Sequence, residues 1–369
     1  MNPQQNIRVI IAGGGTGGHI FPALAIAKAL QKIHPAIELL FVGARGKMEM
    51  EKIPAEGYSI VGLDIAGFNR SSLLKNVGLP FKIIRSFLQA RRVLRQFKPD
   101  IVVGVGGYAS FPVLYMAQWK HIPTLIQEQN SVAGKSNRIL SRKAKAICVA
   151  YEGMEQYFPA NKILMTGNPV RERIAESRVD RAAAIQHFKL DPSRKTVFAF
   201  GGSLGAKSIN ETLLASVSFF GQRNLQLIWQ TGSLFYKTAE AGIAAGHSNI
   251  RVFEFIREME LAYAAADVII ARSGALSVAE LCLLGKPVIF VPFPYASEDH
   301  QTTNALALVK HNAAVMVRDA DAKSELLAKV ESVLSNEQQQ KLLQENILTM
   351  AIRDADQRIA QEIIKYVAA

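Results

Sequence analysis

Short apolar runs alternate with helix-length segments along almost the whole chain, and this limits what it can fold into more than any other feature. In the first half the runs are RVIIA (8–12), ELLFVG (38–43), IVVGV (101–105), TLIQE (124–128), AICVA (146–150) and KILMTG (162–167). In the second half they are TVFAFGG (196–202), LQLIWQTG (225–232), IRVFEFI (250–256), VIIARSG (268–274) and PVIFVPF (287–293). Runs apolar on both faces and separated by helices predict parallel sheets covered on both sides, an α/β architecture. The pattern of strand, glycine turn and helix occurs at RVIIAGGGTGGHIFPALAIA and again at TVFAFGGSLGAKSINETLLA. Two doubly wound Rossmann-like domains in tandem are therefore expected, and 369 residues suit two cores better than one. The charge-rich stretch GNPVRERIAESRVDR (167–181) places the junction, giving domains 1–168 and 169–344. A C-terminal helix, from about 345 to 369, is expected to pack back on the first domain.

Composition narrows the partners. Hydrophobic residues at 49% and charged residues at 20% describe an ordinary globular chain. A net charge of +12 points to an anionic partner: a phosphorylated ligand, a nucleic acid or an acidic membrane surface. Cys148 and Cys282 lie in apolar surroundings and read as buried thiols in a reducing compartment, with no zinc-like spacing. The start MNPQQNIRVIIAGGG lacks a secretory leader's basic segment, and no run reaches the roughly 18 apolar residues of a membrane span. A cytoplasmic protein is expected, with any membrane contact peripheral.

Gly13, Gly15 and Gly18 satisfy the dinucleotide fingerprint G-x-G-x-x-G. The fingerprint also needs an acid at the end of the second strand. That strand ends FVGAR, with its acid, Glu38, at the beginning. Arg45 would serve a 2′-phosphate, so an NADP-dependent oxidoreductase stays as an alternative, whereas a Walker A loop fails for want of Gly-Lys-Ser/Thr. More generally, glycines let a ligand approach the backbone, and the helix that follows presents N–H groups to an anion. His19 falls at that helix start, where the dipole favours a neutral imidazole, and so becomes a candidate general base.

Seven stretches occur in one order: GGGTGGHIFPALAIA, GVGGYASFP (104–112), QEQNSVAG (127–134), GNPVR (167–171), GGSLGA (201–206), RSGALSVAEL (272–281) and GKPVIFVPFPYASEDHQTTNA (285–305). Together they resemble the MurG family of bacterial peptidoglycan glycosyltransferases, of GT-B fold, along essentially the whole chain. The resemblance implies an inverting transfer of GlcNAc from UDP-GlcNAc to the muramyl 4-hydroxyl of an undecaprenyl-linked muramyl-pentapeptide, lipid I, giving lipid II. It implies that Gly14, Gly15, Gly106, Gly107 and Tyr108 serve the acceptor diphosphate, and that Thr16, Gly17 and Gly18 lie near the donor sugar. Ser203, in the third glycine turn, would reach the donor diphosphate. Asn130 and Gln301, with His300 beside it, would hold the sugar, near the N–H groups of Ala275 and Leu276. Arg171 and the backbone of Ile256 would recognise uracil. Glu280 would grip the ribose and, with His19, is the second side chain assigned to the chemistry. Two positions depart from the family pattern: Gln127 stands where a histidine is expected, and Lys135 is unusually charged.

In this reading the leaving diphosphate is stabilised by oriented N–H groups, and no metal or cofactor is expected. The two Asp-Ala-Asp stretches, 319–321 and 354–356, read as solvated surface. Domain closure over the donor is a further expectation. Between residues 65 and 99 lie eight basic residues and no acid: Arg70, Lys75, Lys82, Arg85, Arg91, Arg92, Arg95 and Lys98. Leu73, Leu74, Val77, Leu79, Phe81, Ile83, Ile84, Phe87 and Leu88 are interleaved with them. That mixture suits the anionic inner leaflet of a plasma membrane, and no nucleic-acid motif accompanies it. Other cell-wall and division proteins are implied partners by resemblance. A non-catalytic, membrane-docked sugar-nucleotide-binding protein is the remaining alternative.

Overall fold

The computed structural model describes residues 6–65, 79–243 and 247–367. Arg70, Leu73, Leu74, Lys75 and Val77 of the basic stretch lie outside the described residues. The chain divides into two compact units, Met1–Val170 with Asp354–Ala369, and Arg171–Arg353.

In the first unit, β1 (Arg8–Ala12), β2 (Glu38–Ala44), β3 (Ile60–Leu63), β4 (Ile101–Gly104), β5 (Thr124–Glu128), β6 (Ala146–Val149) and β7 (Ile163–Met165) form one sheet, ordered 3-2-1-4-5-6-7. Every pairing is parallel. In the second unit, β8 (Lys195–Phe200), β9 (Leu225–Gln230), β10 (Ile250–Phe253), β11 (Val268–Ala271), β12 (Val288–Phe290) and β13 (Val315–Met316) form a parallel sheet ordered 10-9-8-11-12-13. The α/β, doubly wound architecture expected from the alternating runs is observed in both units. Two edge strands have no counterpart among those runs: β3 is only partly buried and β13 is two residues long. Such strands carry little of the apolar signal that marks a covered interior strand.

Alternation along β1 splits the first core in two. Val9 and Ile11 pack with Leu24, Ala27, Ile359 and Ile363 on one face, while Ile10 and Ala12 pack with Leu94, Val113 and Leu114 on the other. The C-terminal helix Ala355–Lys365 covers this sheet through Ile359, Ala360 and Ile363, against the helix Gly17–Ile33. The return to the first unit thus comes at Asp354, later than the boundary near 345. The preceding helix, Glu337–Thr349, packs instead on Ala275–Leu284 of the second unit.

Each strand order reverses direction once, between β1 and β4 and between β8 and β11. Parallel sheets bind ligands beyond the carboxyl ends of the strands flanking that reversal. The chain's glycine turns lie there. Gly13 follows β1, Gly106 follows β4 and Gly201 follows β8, while Arg272-Ser273-Gly274 follows β11.

Candidate functional site

In the first unit two glycine turns lie back to back. A Cβ on Gly107, at φ +81°, would fall 2.3 Å from the Gly14 carbonyl oxygen, and one on Gly106, at φ +89°, 2.8 Å from the His19 ring. Bare backbone is therefore a packing requirement here. Thr16 is the N-cap of the helix Gly17–Ile33, and its carbonyl accepts from the N–H groups of His19 and Ile20. His19 Nδ1 lies 3.0 Å from the Gly14 carbonyl oxygen and 3.1 Å from Thr16 Oγ1. A carbonyl only accepts, so Nδ1 carries the proton in this contact.

Behind the first turn lies a carboxyl group that no motif marks. Glu49, 1% exposed, accepts from the Gly15 N–H at 2.9 Å and from the Ala44 N–H at 3.0 Å. The Gly15 N–H expected to serve a diphosphate is thus engaged by a carboxyl group. The Tyr108 ring lies against Gly15, and burial followed by the nearby Glu49 charge raises the Tyr108 phenol above its usual pKa. Glu49 lies 34 residues beyond Gly15 in an ordinary-looking helix, and no local motif marks it.

Buried amides and one acid brace the second turn and the loop after β5. The Gln129 side chain donates to the Val105 carbonyl, and Gln127 donates to Asn168, which donates back to the Gln129 carbonyl. Gln127, fully buried, is therefore a framework residue. Glu128 accepts from the Asn130 and Gly134 N–H groups and from the Asn137 amide. Burial pushes its carboxyl above the usual range, against the pull of those donors. This clasp fixes the loop that presents Asn130. Lys135 begins the next helix on the surface.

In the second unit the turn Gly201–Gly205 leads into the helix Lys207–Ala215. A Cβ on Gly205 would fall 1.9 Å from the Thr231 carbonyl oxygen, and Asn210 secures that carbonyl while accepting from the Trp229 indole. Ser203 is exposed, with its carbonyl accepting from the Ser233 N–H; the N-cap is Ala206. The Ile256 N–H, expected to read uracil, donates to buried Gln230 at 2.8 Å. Ala275 and Leu276 open the helix that carries Glu280. Gln301 accepts from the Phe293 N–H, and its carbonyl accepts from Ser273. His300 Nδ1 contacts the Ser297 carbonyl.

Arg171 grips Glu280 with two hydrogen bonds, Nε to Oε1 at 2.8 Å and Nη2 to Oε2 at 2.9 Å, and the Tyr263 hydroxyl donates to Oε2 at 3.3 Å. Burial opposes the Arg171 charge, but the Glu280 bonds and charge hold its pKa above the ordinary value. The Tyr263 phenol is raised well above its usual value, chiefly by burial. Glu280 is only 4% exposed, so its carboxylate is a buried acceptor with both oxygens engaged.

Asp319 corrects the solvated-surface reading of the first Asp-Ala-Asp stretch. It pairs with Arg272 and accepts from Ser208, while Arg272 also donates to the Val291 and Pro292 carbonyls. The Arg272 side chain is 12% exposed. This cluster ties the ends of β11 and β12 to the helix that follows the third glycine turn. Arg45, the candidate for a 2′-phosphate, pairs with Asp64 instead.

Residues 9–149 match the glycosyltransferase family 28 N-terminal domain, and residues 196–359 match the glycosyltransferase family 28 C-terminal domain. The UDP-N-acetylglucosamine--N-acetylmuramyl-(pentapeptide) pyrophosphoryl-undecaprenol N-acetylglucosamine transferase of Bacteroides fragilis is 52% identical, across 97% of this chain and 95% of that one. The Bacteroides thetaiotaomicron transferase is 50% identical, over 99% of each. The crystal structure of Acinetobacter baumannii MurG superposes with a TM-score of 0.79 at 33% identity, covering 97% of this chain and 99% of that one. The chain belongs to the MurG family of glycosyltransferases.

This MurG-family chain groups its expected site residues by unit. Thr16, Gly17, Gly18, His19, Gly106, Gly107 and Tyr108 gather around the paired turns of the first, with Asn130 on the loop after β5. Arg171 and Glu280 meet in the second, where Ser203 and Ile256 occupy strand-end loops and Ala275 and Gln301 lie in the first turns of helices. No helix among the described residues is long and apolar enough to cross a membrane. The helix Leu79–Phe97 buries Ala90, Val93 and Leu94 but exposes Phe81, Ile84 and Leu88 beside Lys82, Arg85, Arg91, Arg92 and Arg95.

Proposed function

We propose that this chain transfers N-acetylglucosamine from UDP-GlcNAc to the muramyl 4-hydroxyl of lipid I, producing lipid II for peptidoglycan synthesis. Near-full-length identity to transferases of that description supports the substrates. The observation that carries the chemistry is His19, held in the first turn of the helix after β1 with Nδ1 on the Gly14 carbonyl, an arrangement that makes Nε2 the basic nitrogen of the neutral ring. His19 Nε2 takes the proton from the acceptor hydroxyl as its oxygen forms a bond to the anomeric carbon. The bond from that carbon to the UDP oxygen breaks on the opposite face, giving inversion. N–H groups at the third glycine turn meet the charge developing on the departing diphosphate, an effect of about 3 kcal/mol in comparable anion holes. Arg171 and Glu280 act as one unit in nucleoside recognition: Glu280 Oε1, which accepts from Arg171 Nε, keeps a second lone pair for a ribose hydroxyl while the guanidinium fixes the carboxylate's orientation.

The helix Leu79–Phe97 docks this enzyme on an anionic membrane surface, as its exposed aromatic and aliphatic side chains among arginines would favour. Replacing Phe81, Ile84 and Leu88 with serine is expected to release the protein from vesicles containing phosphatidylglycerol; undiminished vesicle binding refutes this docking surface. The activity is tested with radiolabelled UDP-GlcNAc and a short-chain lipid I analogue. Wild type should form labelled disaccharide. A His19→Ala variant should bind UDP-GlcNAc normally and turn over at least about 100-fold more slowly. Unchanged turnover removes His19 from the chemistry, and a folded, donor-binding wild type that forms no product refutes the transferase reading.

A further inference from the structure

The buried carboxyl of Glu49 and the imidazole of His19 bind opposite ends of one peptide unit. The Gly14 carbonyl accepts from His19 Nδ1 at 3.0 Å, and the N–H of the next residue, Gly15, donates to Glu49 Oε2 at 2.9 Å. These two groups belong to the same amide. The other Glu49 oxygen accepts from the Ala44 N–H at the end of β2, so the side chain is clamped at both oxygens. Two glycines make room for it. A Cβ on Gly14 would fall 2.2 Å from Glu49 Oε1, and one on Gly43 2.6 Å from its Cγ. His19 and Glu49 also line one small cavity with Ile11, Gly13 and Phe41.

We infer that Glu49 is a positioning residue for His19, acting through the Gly14–Gly15 peptide. An anionic acceptor on an amide N–H polarises that amide and strengthens its carbonyl as an acceptor. The stronger carbonyl holds the His19 proton on Nδ1 and leaves the lone pair on Nε2. A carboxylate that orients a catalytic histidine does this directly in many hydrolases, where loss of its charge allows the wrong tautomer. In this protein one peptide unit is interposed, so the carboxylate stays behind the turn and away from any anionic ligand in front of it. The helix Glu49–Ala55 and β2 therefore have a part in catalysis although neither presents a side chain to substrate.

The inference rests on His19 being the base, and the experiment separates the two. Nitrogen-15 histidine spectra of wild type, Glu49→Gln and His19→Gln are recorded at pH 8, the last variant assigning the His19 signals among the seven histidines. Steady-state rates are measured for both variants and the double variant. Wild-type His19 should be the Nδ1–H tautomer. Glu49→Gln should lower kcat about 10- to 100-fold with little change in the KM for UDP-GlcNAc, the size of loss seen when the carboxylate partner of a metal-bound histidine is removed. In the His19→Gln background it should have almost no further effect. An Nε2–H tautomer in the wild type overturns the inference, even where the Glu49 variant fails to fold. So does an equal loss from Glu49→Gln in both backgrounds, or wild-type kcat in Glu49→Gln while His19→Gln is inactive. Wild-type turnover by His19→Gln overturns the reading of His19 as base, which the spectra alone cannot do.

Discussion

Gly107→Ala tests how closely the two turns of the first unit are packed. Its methyl group would fall 2.3 Å from the Gly14 carbonyl oxygen, with the Gly14 carbon and nitrogen both 3.3 Å away. Ordinary contact between carbon and oxygen is about 3.3 Å, so the turns must separate by about 1 Å. The backbone at φ +81° adds about 1 kcal/mol for any residue with a Cβ, and overpacking adds about 1–3 kcal/mol. A total loss of about 2–4 kcal/mol is expected. At about 2–4 °C per kcal/mol for a unit of this size, melting should fall by about 4–16 °C. Gly46→Ala is the matched control, since its φ is +71° and a Cβ there meets nothing within 4 Å. It should cost about 1 kcal/mol only. Displacing the Gly14 carbonyl also breaks its contact with His19, and with His19 as the proposed base a shift of about 1 Å should cost about 100-fold in rate. Differential scanning fluorimetry, turnover and UDP-GlcNAc titration of both variants decide the matter. If Gly107→Ala melts like Gly46→Ala and keeps its turnover, the packing argument is refuted.

Other perturbations probe the second unit and the two cores. Glu280→Ala should cost about 1–3 kcal/mol, because the Tyr263 hydroxyl and Arg171 lose their acceptor while the one-third exposed guanidinium recovers part of its solvation. It should also weaken UDP binding by calorimetry; unchanged affinity removes the pair from nucleoside recognition. Asp319→Ala should lower stability in urea by about 3 kcal/mol by leaving the largely covered Arg272 charge without its carboxylate, whereas a solvated aspartate would change it by less than about 0.5 kcal/mol. Burial pushes the Cys148 and Cys282 thiols up to about 12, so at pH 8 only about one in 10,000 of each is thiolate. Both should resist iodoacetamide in the native protein and react once guanidinium unfolds it. Prompt native labelling would contradict their burial.

Much of this was legible in the residues. The alternation of apolar runs with helical segments determines two parallel sheets, because a strand covered on both faces must be apolar throughout and needs a crossover helix. The glycine turns were likewise visible, since positive φ and backbone contact leave few other residues possible. His19 stood out by its place at a helix start, and Arg171 and Glu280 came from the resemblance; the sequence did not show that these last two pair. What no local pattern carried was the pairing of distant groups. Arg171 and Glu280 are 109 residues apart and Gly15 and Glu49 are 34 apart, and only the strand order brings each pair together. An isolated acid in a helix looks the same in sequence whether it is solvated or clamps a turn. Asp319 was misread for that reason, and the edge strands β3 and β13 were missed because half-covered strands need little apolar sequence. Local periodicity determined the elements and the turns. Tertiary structure alone decided which polar groups lost their water, and thus which N–H groups and carboxylates are already committed within the fold.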